Sequence, residues 1–82
     1  MKSKKYLITE IKKIFKKELK INTTENNKIY DFINWDSLGN LNILLACEKK
    51  FKIRFSNSEF NNTNTFKGIL KIVQKKIKKA DL

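Results

Sequence analysis

Residues 34–41, NWDSLGNL, place an aspartate and a serine directly in front of an apolar run. Asp and Ser are preferred helix N-caps, so the pattern predicts that a helix begins here. A serine hydroxyl can also act as a nucleophile or an attachment point when a base activates it. The chain has no His and one Cys, which excludes a Ser-His-Asp triad and a Cys-His pair. We therefore expect any reaction at Ser37 to depend on a base from another protein.

The size of the chain limits what it can do alone. Its 82 residues predict one small domain, 1–82, without room for a catalytic cleft and a deep substrate pocket, so we expect no enzyme activity. Cys47 can form no internal disulfide and no cysteine-based zinc site, and we expect it to be a small core side chain. No apolar stretch approaches the roughly 18 residues of a membrane span. The opening MKSKKYLITE is too poor in apolar residues for a signal peptide, which favours a cytoplasmic location.

Helical spacing of apolar residues begins near the start of the chain and predicts a first helix from about Ser3 to Leu19. The apolar face of this helix comprises Ile8, Ile11, Phe15 and Leu19. Residues 20–36 have weak periodicity and predict a long loop. Some of its apolar residues should pack on the core, and the candidates are Ile21, Ile29, Phe32, Ile33 and Trp35.

A second helix is predicted from Ser37 to about Lys50. Two neighbouring apolar rows predict one wide buried face on this helix. The first row contains Leu38, Leu41 and Leu45, and the second contains Leu44, Cys47 and Phe51.

The remaining segments predict an extended connector over residues 51–55 and then one helical turn capped by Ser56 or Asn57. A closing amphipathic helix should run to about Lys78, with Thr63, Asn64 or Thr65 as its cap. Its apolar positions are Phe66, Ile69, Leu70, Val73 and Ile77. The fold class is therefore all-α, a small four-helix bundle with three main helices, one short helix and a long loop between helices 1 and 2.

The stretch NWDSLGNLNILLACEKKFKIRFSNSEF resembles the acyl carrier proteins, and the resemblance extends over residues 31–77. It implies a bundle of acyl-carrier type in which Ser37 is the attachment point for 4′-phosphopantetheine. Asp36 would help to present Ser37, and Leu38 would contact the modifying enzyme. The competing interpretation is that Ser37 is only a helix cap. The two roles are compatible, because Asp36 can make the cap.

The resemblance also implies how such a carrier works. Its phosphopantetheine thiol holds an acyl or aminoacyl group as a thioester and presents it to partner enzymes. The implied partners are a phosphopantetheinyl transferase, an acyl- or aminoacyl-activating ligase, and a downstream acyltransferase or modifying enzyme, and the carrier itself would be a monomer. The form WDSLGNL looks most like stand-alone carriers of specialised lipid or polysaccharide biosynthesis. The N-terminus of a helix suits the phosphodiester, because its free N–H groups attract anions.

One departure from the family concerns charge. Typical members are strongly acidic. The corresponding docking face here has Glu48 as its one acid and Trp35 beside it, and it otherwise offers Gly39, Asn40, Asn42, Lys49 and Lys50. Complementary charge steers association, so we expect dedicated partners with neutral or acidic docking faces. Trp35 is open to another interpretation, as a staple at the helix start. The six Phe residues can line an acyl cavity or fill the core.

Excess positive charge supports an alternative function. The net charge is +11, with +6 in residues 1–20, zero in 21–66 and +5 in 67–82. A small basic helical module that binds nucleic acid would have such a balance. The lysines surround amphipathic helices, however, and there is one Arg, so a solvated face is the simpler interpretation. A first helix lying on a membrane surface is a further alternative, but its apolar face is needed for the core. The interpretation as a carrier predicts that the chain binds neither nucleic acid nor a membrane.

Overall fold

The computed structural model describes residues 3–80 of the chain, with side chains up to Ile77. Within this range the chain forms four helices and no strand: α1 (Lys4–Leu19), α2 (Ser37–Phe51), α3 (Asn57–Asn62) and α4 (Phe66–Ala80). The predicted all-α class, the three main helices, the one short helix and the long first loop are therefore confirmed. The side chains of Lys78 and Lys79, part of the predicted basic C-terminal segment, lie outside the described residues.

The three long helices pack against one another in pairs. The end of α1 lies beside the start of α2, since Asn34, just before α2, donates its side-chain N–H to the Leu19 carbonyl (3.1 Å). Farther along, Glu10 of α1 pairs with Lys50 near the end of α2 (3.2 Å). The helices α1 and α2 are therefore antiparallel.

Aromatic side chains from three parts of the chain form the centre of the core. Trp35 from the long loop, Phe15 from α1 and Phe66 from α4 are all fully buried. The Phe15 and Trp35 rings meet edge to face at 4.5 Å, an arrangement that adds about 1 kcal/mol beyond the area it buries. The remaining buried apolar residues are Leu7, Ile11, Ile14, Leu19, Ile21, Ile43, Leu44, Cys47, Ile53, Phe55, Ile69, Leu70 and Val73.

The long loop is tied to the helices at several points. Ile21 and Trp35 are buried, and Ile29 and Phe32 pack partly buried against the core, as predicted. The expectation for Ile33 is wrong, because this residue is 94% exposed. Backbone hydrogen bonds join Ile29 N–H to Asn64 C=O (2.9 Å) and Phe66 N–H to Asn27 C=O (3.0 Å). The loop is thereby fixed to the start of α4.

The ends of the predicted helices agree closely with the observed ones. Ser3 caps α1 by accepting a hydrogen bond from the Tyr6 N–H (3.1 Å). Ser56 caps α3, where its hydroxyl and the Glu59 carboxylate form a reciprocal capping box. Of the three candidates for α4, Thr65 accepts the Gly68 N–H (2.9 Å). None of the helices in residues 3–80 is long and apolar enough to cross a membrane.

Candidate functional site

The first turn of α2 is capped by Asp36, and Ser37 is the first residue of the helix. The Asp36 carboxylate accepts the Gly39 N–H at 2.8 Å, and the Asp36 carbonyl accepts the Asn40 N–H at 2.8 Å. The expectation that Asp36 can make the cap is therefore confirmed. Ser37 is exposed, and its hydroxyl takes no part in capping.

The Ser37 hydroxyl has one partner among the described residues, the phenol of Tyr30. The two oxygens lie 2.9 Å apart, and either can be the donor. Tyr30 is itself 69% exposed. Sequence reasoning missed Tyr30, because the six residues between it and Ser37 carry no periodic pattern that would bring the two together.

The backbone around Tyr30 has an unusual conformation. Its φ is +74°, in the left-handed region that large side chains rarely occupy. Two neighbouring interactions hold it there: the Tyr30 N–H donates to the Trp35 carbonyl (2.7 Å), and the Asp31 N–H donates to the Lys28 carbonyl (3.0 Å). The loop thus folds back on itself just before α2 begins.

Asp31 stabilises the same turn through its side chain. Its carboxylate accepts the Lys28 backbone N–H at 2.8 Å and the Lys28 ammonium at 3.1 Å. The Asn27 amide donates to it as well, at 3.3 Å. These donors hold the pKa of Asp31 below its ordinary value, and the Lys28 backbone N–H has the largest effect. The charged carboxylate therefore favours the folded form of the turn.

A buried polar network anchors the start of α2 to the core. The Trp35 indole N–H donates to the Asn40 side-chain oxygen at 2.9 Å, and the Asn40 amide donates to the Thr63 carbonyl at 2.9 Å. Asn40 is 6% exposed. Because both polar ends of Asn40 are satisfied, it joins the long loop, α2 and the segment before α4 without an unpaired buried group.

Close packing fixes the position of the first turn of α2. A Cβ atom at Gly39 would collide with the carbonyl oxygen of Asn34 and would also touch Leu19. Only a glycine lets the loop backbone approach the helix this closely. Asn34 is held in place in turn by its hydrogen bond to Leu19. The loop, the end of α1 and the start of α2 therefore form one packed unit beneath Ser37.

The predicted buried face of α2 requires a correction. Leu38, Leu41 and Leu45 are 67%, 41% and 46% exposed, so this row faces solvent. The buried residues of α2 are Gly39, Asn40, Ile43, Leu44 and Cys47. The second predicted row is confirmed, since Leu44 and Cys47 are buried and Phe51 is half-buried. The buried face includes Asn40 in place of the leucine row, because Asn40 bonds to Trp35 and Thr63 on the core side.

The predicted docking residues also require a correction. Trp35, Gly39 and Asn40 are buried, which leaves almost none of their surface for direct contact with a partner. Trp35 packs in the core, in keeping with the staple interpretation. Asn42 is exposed, and its docking role stays a prediction. The exposed leucine row begins beside Ser37 and offers a larger apolar surface than the predicted docking residues.

A shallow groove between α1 and α2 adjoins the end of the leucine row. It has an apolar floor and a charged rim, lined by Glu10, Lys13, Ile14, Lys17, Glu18, Asn42, Leu45, Ala46, Lys49 and Lys50. The Glu10 carboxylate pairs with Lys13 and Lys50, at 3.2 Å each. Hydrogen bonds from Lys13 and then Lys50 hold the pKa of Glu10 below its ordinary value. The four lysines outnumber the two glutamates, so the rim is basic.

Glu48, the one acid of the predicted docking face, is engaged within the fold. Its carboxylate accepts the Phe55 backbone N–H at 2.7 Å and so holds the connector against the end of α2. The carboxylate is therefore committed to an internal bond.

Other candidate groups show no sign of a reactive role. Cys47 is fully buried, and burial raises the pKa of its thiol to about 12, so the predicted core role is confirmed. No cluster of three or more potential metal-ligating side chains occurs in the described part of the chain. The Phe residues pack in or against the core, and the groove between α1 and α2 is lined by other residues.

No protein-family model matches this chain, and no curated protein matches it either.

Proposed function

We propose that this protein is a carrier that receives 4′-phosphopantetheine on Ser37 and presents an acyl or aminoacyl group to partner enzymes. The observation that supports it best is that, at the start of α2, the helix cap and the exposed hydroxyl come from different residues. Asp36 makes the helix cap, which leaves an exposed Ser37 hydroxyl without a structural duty at the cap. When bound, the phosphopantetheine arm would supply a thiol that holds the cargo as a thioester.

The site fits a phosphodiester on physical grounds. The N–H groups of Ser37 and Leu38 lie in the first turn of α2, where no intrahelical carbonyl is available to accept them. The positive end of the helix dipole favours an anion at this position. The nearest carboxylate in sequence, Asp36, is bonded to the Gly39 N–H. Attachment at Ser37 would therefore place the phosphodiester against donors.

In the attachment step, the Ser37 hydroxyl oxygen attacks the phosphorus of coenzyme A that bears pantetheine. An oxygen–phosphorus bond forms at Ser37, and the phosphoanhydride bond to adenosine 3′,5′-bisphosphate breaks. The serine proton leaves to a base. Since the chain has no His, we propose that the transferase supplies that base and the magnesium ion. Ser37 contributes its exposure and its fixed position.

The leucine row is proposed as the surface that partner enzymes contact. It starts at Leu38, next to Ser37, and continues through Leu41 to Leu45, where the lysine-rimmed groove begins. A partner with an apolar centre and acidic side chains would complement this surface, and opposite charge speeds encounter and rejects wrong partners. This surface supports the proposal of dedicated partners with acidic docking faces.

A mass measurement tests the proposed function directly. The full chain is incubated with coenzyme A, magnesium and a broad-specificity phosphopantetheinyl transferase, and intact mass is recorded. We expect a gain of one phosphopantetheine unit for the wild type and none for Ser37→Ala. Ser58→Ala, which removes an exposed serine from α3, serves as the matched control and should gain the unit.

The opposite result has a definite meaning. If several such transferases leave the wild-type mass unchanged, the carrier function is rejected and Ser37 is only the first residue of a helix. The basic nucleic-acid-binding module then becomes the leading alternative. Binding of nucleic acid that weakens steeply with salt would support that alternative.

A further inference from the structure

The hydroxyl of Tyr30 is the closest polar partner that the fold brings to Ser37. We infer that Tyr30 forms part of the binding site for the phosphodiester and that its phenol donates a hydrogen bond to a phosphate oxygen. This inference rests on the proposed attachment at Ser37. It adds a residue of the long loop to the modification site, which otherwise comprises Asp36, Ser37 and Leu38.

The distance between the two hydroxyls sets the geometry. The Tyr30 oxygen lies 2.9 Å from the Ser37 oxygen, and phosphorus would be bonded directly to that serine oxygen. The phosphate oxygens then lie next to the position of the phenol. Before attachment either hydroxyl can donate. Afterwards Ser37 has no proton left, so the bond can persist only with Tyr30 as the donor.

The chemistry of the bond changes in the same step. A hydrogen bond between two neutral hydroxyls becomes one from a neutral phenol to an anionic phosphodiester. Bonds to ionised acceptors are shorter and roughly twice as strong as neutral ones. The first turn of α2 offers backbone N–H groups to the anion, and Tyr30 adds a donor from the loop. Attachment should therefore strengthen the Tyr30 contact.

The loop is built so that it holds Tyr30 in this position. The residue keeps a φ of +74° although its side chain is 69% exposed, so core packing does not explain the conformation. Its N–H is bonded to the carbonyl of Trp35, a fully buried residue. Uncommon backbone conformations persist where the surroundings determine them, and they concentrate at functional sites. Here the conformation places the phenol on Ser37.

The wild-type chain contains its own reporter and control, because it has two tyrosines. Tyr30 lies beside Ser37, whereas Tyr6 lies in the first turn of α1, at the opposite end of the antiparallel pair α1 and α2. A sample labelled with carbon-13 at the tyrosine Cζ gives two signals. We expect the Tyr30 signal to shift on conversion to the modified form and the Tyr6 signal to stay in place.

A variant pair completes the test through the phosphorus-31 signal of the modified protein. Tyr30→Phe removes the hydroxyl and keeps the ring, so the signal should shift relative to wild type, whereas Tyr6→Phe should leave it unchanged. In the transferase reaction we expect Tyr30→Phe to lower kcat about three- to tenfold with little change in KM, as for a lost transition-state interaction.

The outcomes separate the two proposals. A wild-type chain that gains the phosphopantetheine mass, but whose Tyr30 carbon signal and Tyr30→Phe phosphorus signal do not move, overturns the Tyr30 inference and leaves the carrier function standing. A wild-type chain that gains no mass overturns both. The carbon-13 measurement needs no variant, so it decides the question even if Tyr30→Phe does not fold.

Discussion

The starts of α2 and α3 both contain a serine, but only the serine at α3 caps its helix. At α3 the serine is the cap: Ser56 accepts the Glu59 N–H at 3.1 Å, and Ser3 does the same for Tyr6 at the start of α1. At α2 an aspartate makes the cap and the serine follows it. The Ser56 hydroxyl is committed to backbone, whereas the Ser37 hydroxyl meets only another side-chain hydroxyl among the described residues.

The two helix starts also differ in how firmly they are held. The first turn of α2 contains the buried residues Gly39 and Asn40, whereas α3 has no buried residue. The turn that carries Ser37 is therefore part of the core, although Ser37 itself is exposed. An exposed hydroxyl on a rigid support has a fixed position, which the proposed modification would require.

The largest expected effect comes from Asn40→Leu. The change leaves the Trp35 indole N–H and the Thr63 carbonyl buried without partners, each costing about 1–3 kcal/mol. We expect a loss of about 3 kcal/mol in the free energy of unfolding, measured by urea denaturation. Asn42→Leu, a matched change on the exposed side of α2, should alter it by less than about 0.5 kcal/mol. Equal losses in both variants would contradict the anchoring role of Asn40.

Gly39→Ala should have the next largest effect, because the new Cβ collides with the backbone carbonyl of Asn34. We expect a loss of about 2 kcal/mol in unfolding free energy. Gly68→Ala is the matched control, since Gly68 occupies the same position in the first turn of α4. Its Cβ would meet the Thr65 hydroxyl at 2.9 Å, a side chain that can rotate. Alanine's higher helix propensity offsets part of that strain, so the loss should stay below about 1 kcal/mol.

Variants of Asp36, Ser37 and Ser56 test whether Ser37, unlike the two caps, is dispensable for helix stability. Asp36→Ala and Ser56→Ala each remove a cap and should each cost about 1 kcal/mol of unfolding free energy. Ser37→Ala removes a hydroxyl that caps nothing and should cost less than about 0.5 kcal/mol. Thermal denaturation of the three proteins at one pH gives the comparison. A loss for Ser37→Ala as large as that for Ser56→Ala would show that Ser37 is needed for the helix.

Periodicity and cap residues were sufficient to predict the four helices and the long loop. They were insufficient to orient α2, because its apolar residues occupy most of the circumference of the helix. Which side faces the core is decided by long-range contacts: Asn40 turns inward to satisfy Trp35 and Thr63, and Leu38 and Leu41 consequently turn outward.

The candidate site was predictable only in part. Asp36 and Ser37 are recognisable because a helix start has a local sequence signature. Tyr30 has no such signature. Its contact with Ser37 depends on the reversed loop and on a positive φ, which follow from the bond between Tyr30 and the Trp35 carbonyl. Contacts of this kind arise from tertiary structure, so single-sequence patterns do not reveal them.

The smallest expected effect concerns the charge at the start of α3. The pKa of Glu59 lies below its ordinary value of 4.5. The main cause is the hydrogen bond from the Ser56 backbone N–H, and the ion pair with Lys76 at 3.0 Å adds to it. A carboxylate with a lowered folded pKa stabilises the fold above its unfolded pKa, and this contribution is lost as the pH falls through the folded value. Glu59→Gln should therefore lower the unfolding free energy at neutral pH by less than about 1 kcal/mol.

The pH dependence identifies the group responsible. Glutamine can keep the capping-box geometry but carries no charge. The stability difference between wild type and Glu59→Gln should therefore shrink as the pH falls below 4.5. Lys76→Gln removes the ion pair and keeps the bond to the Ser56 N–H, so it should have the smaller effect of the two. A difference between wild type and Glu59→Gln that persists unchanged in acid would contradict the assignment of the effect to the charge of Glu59.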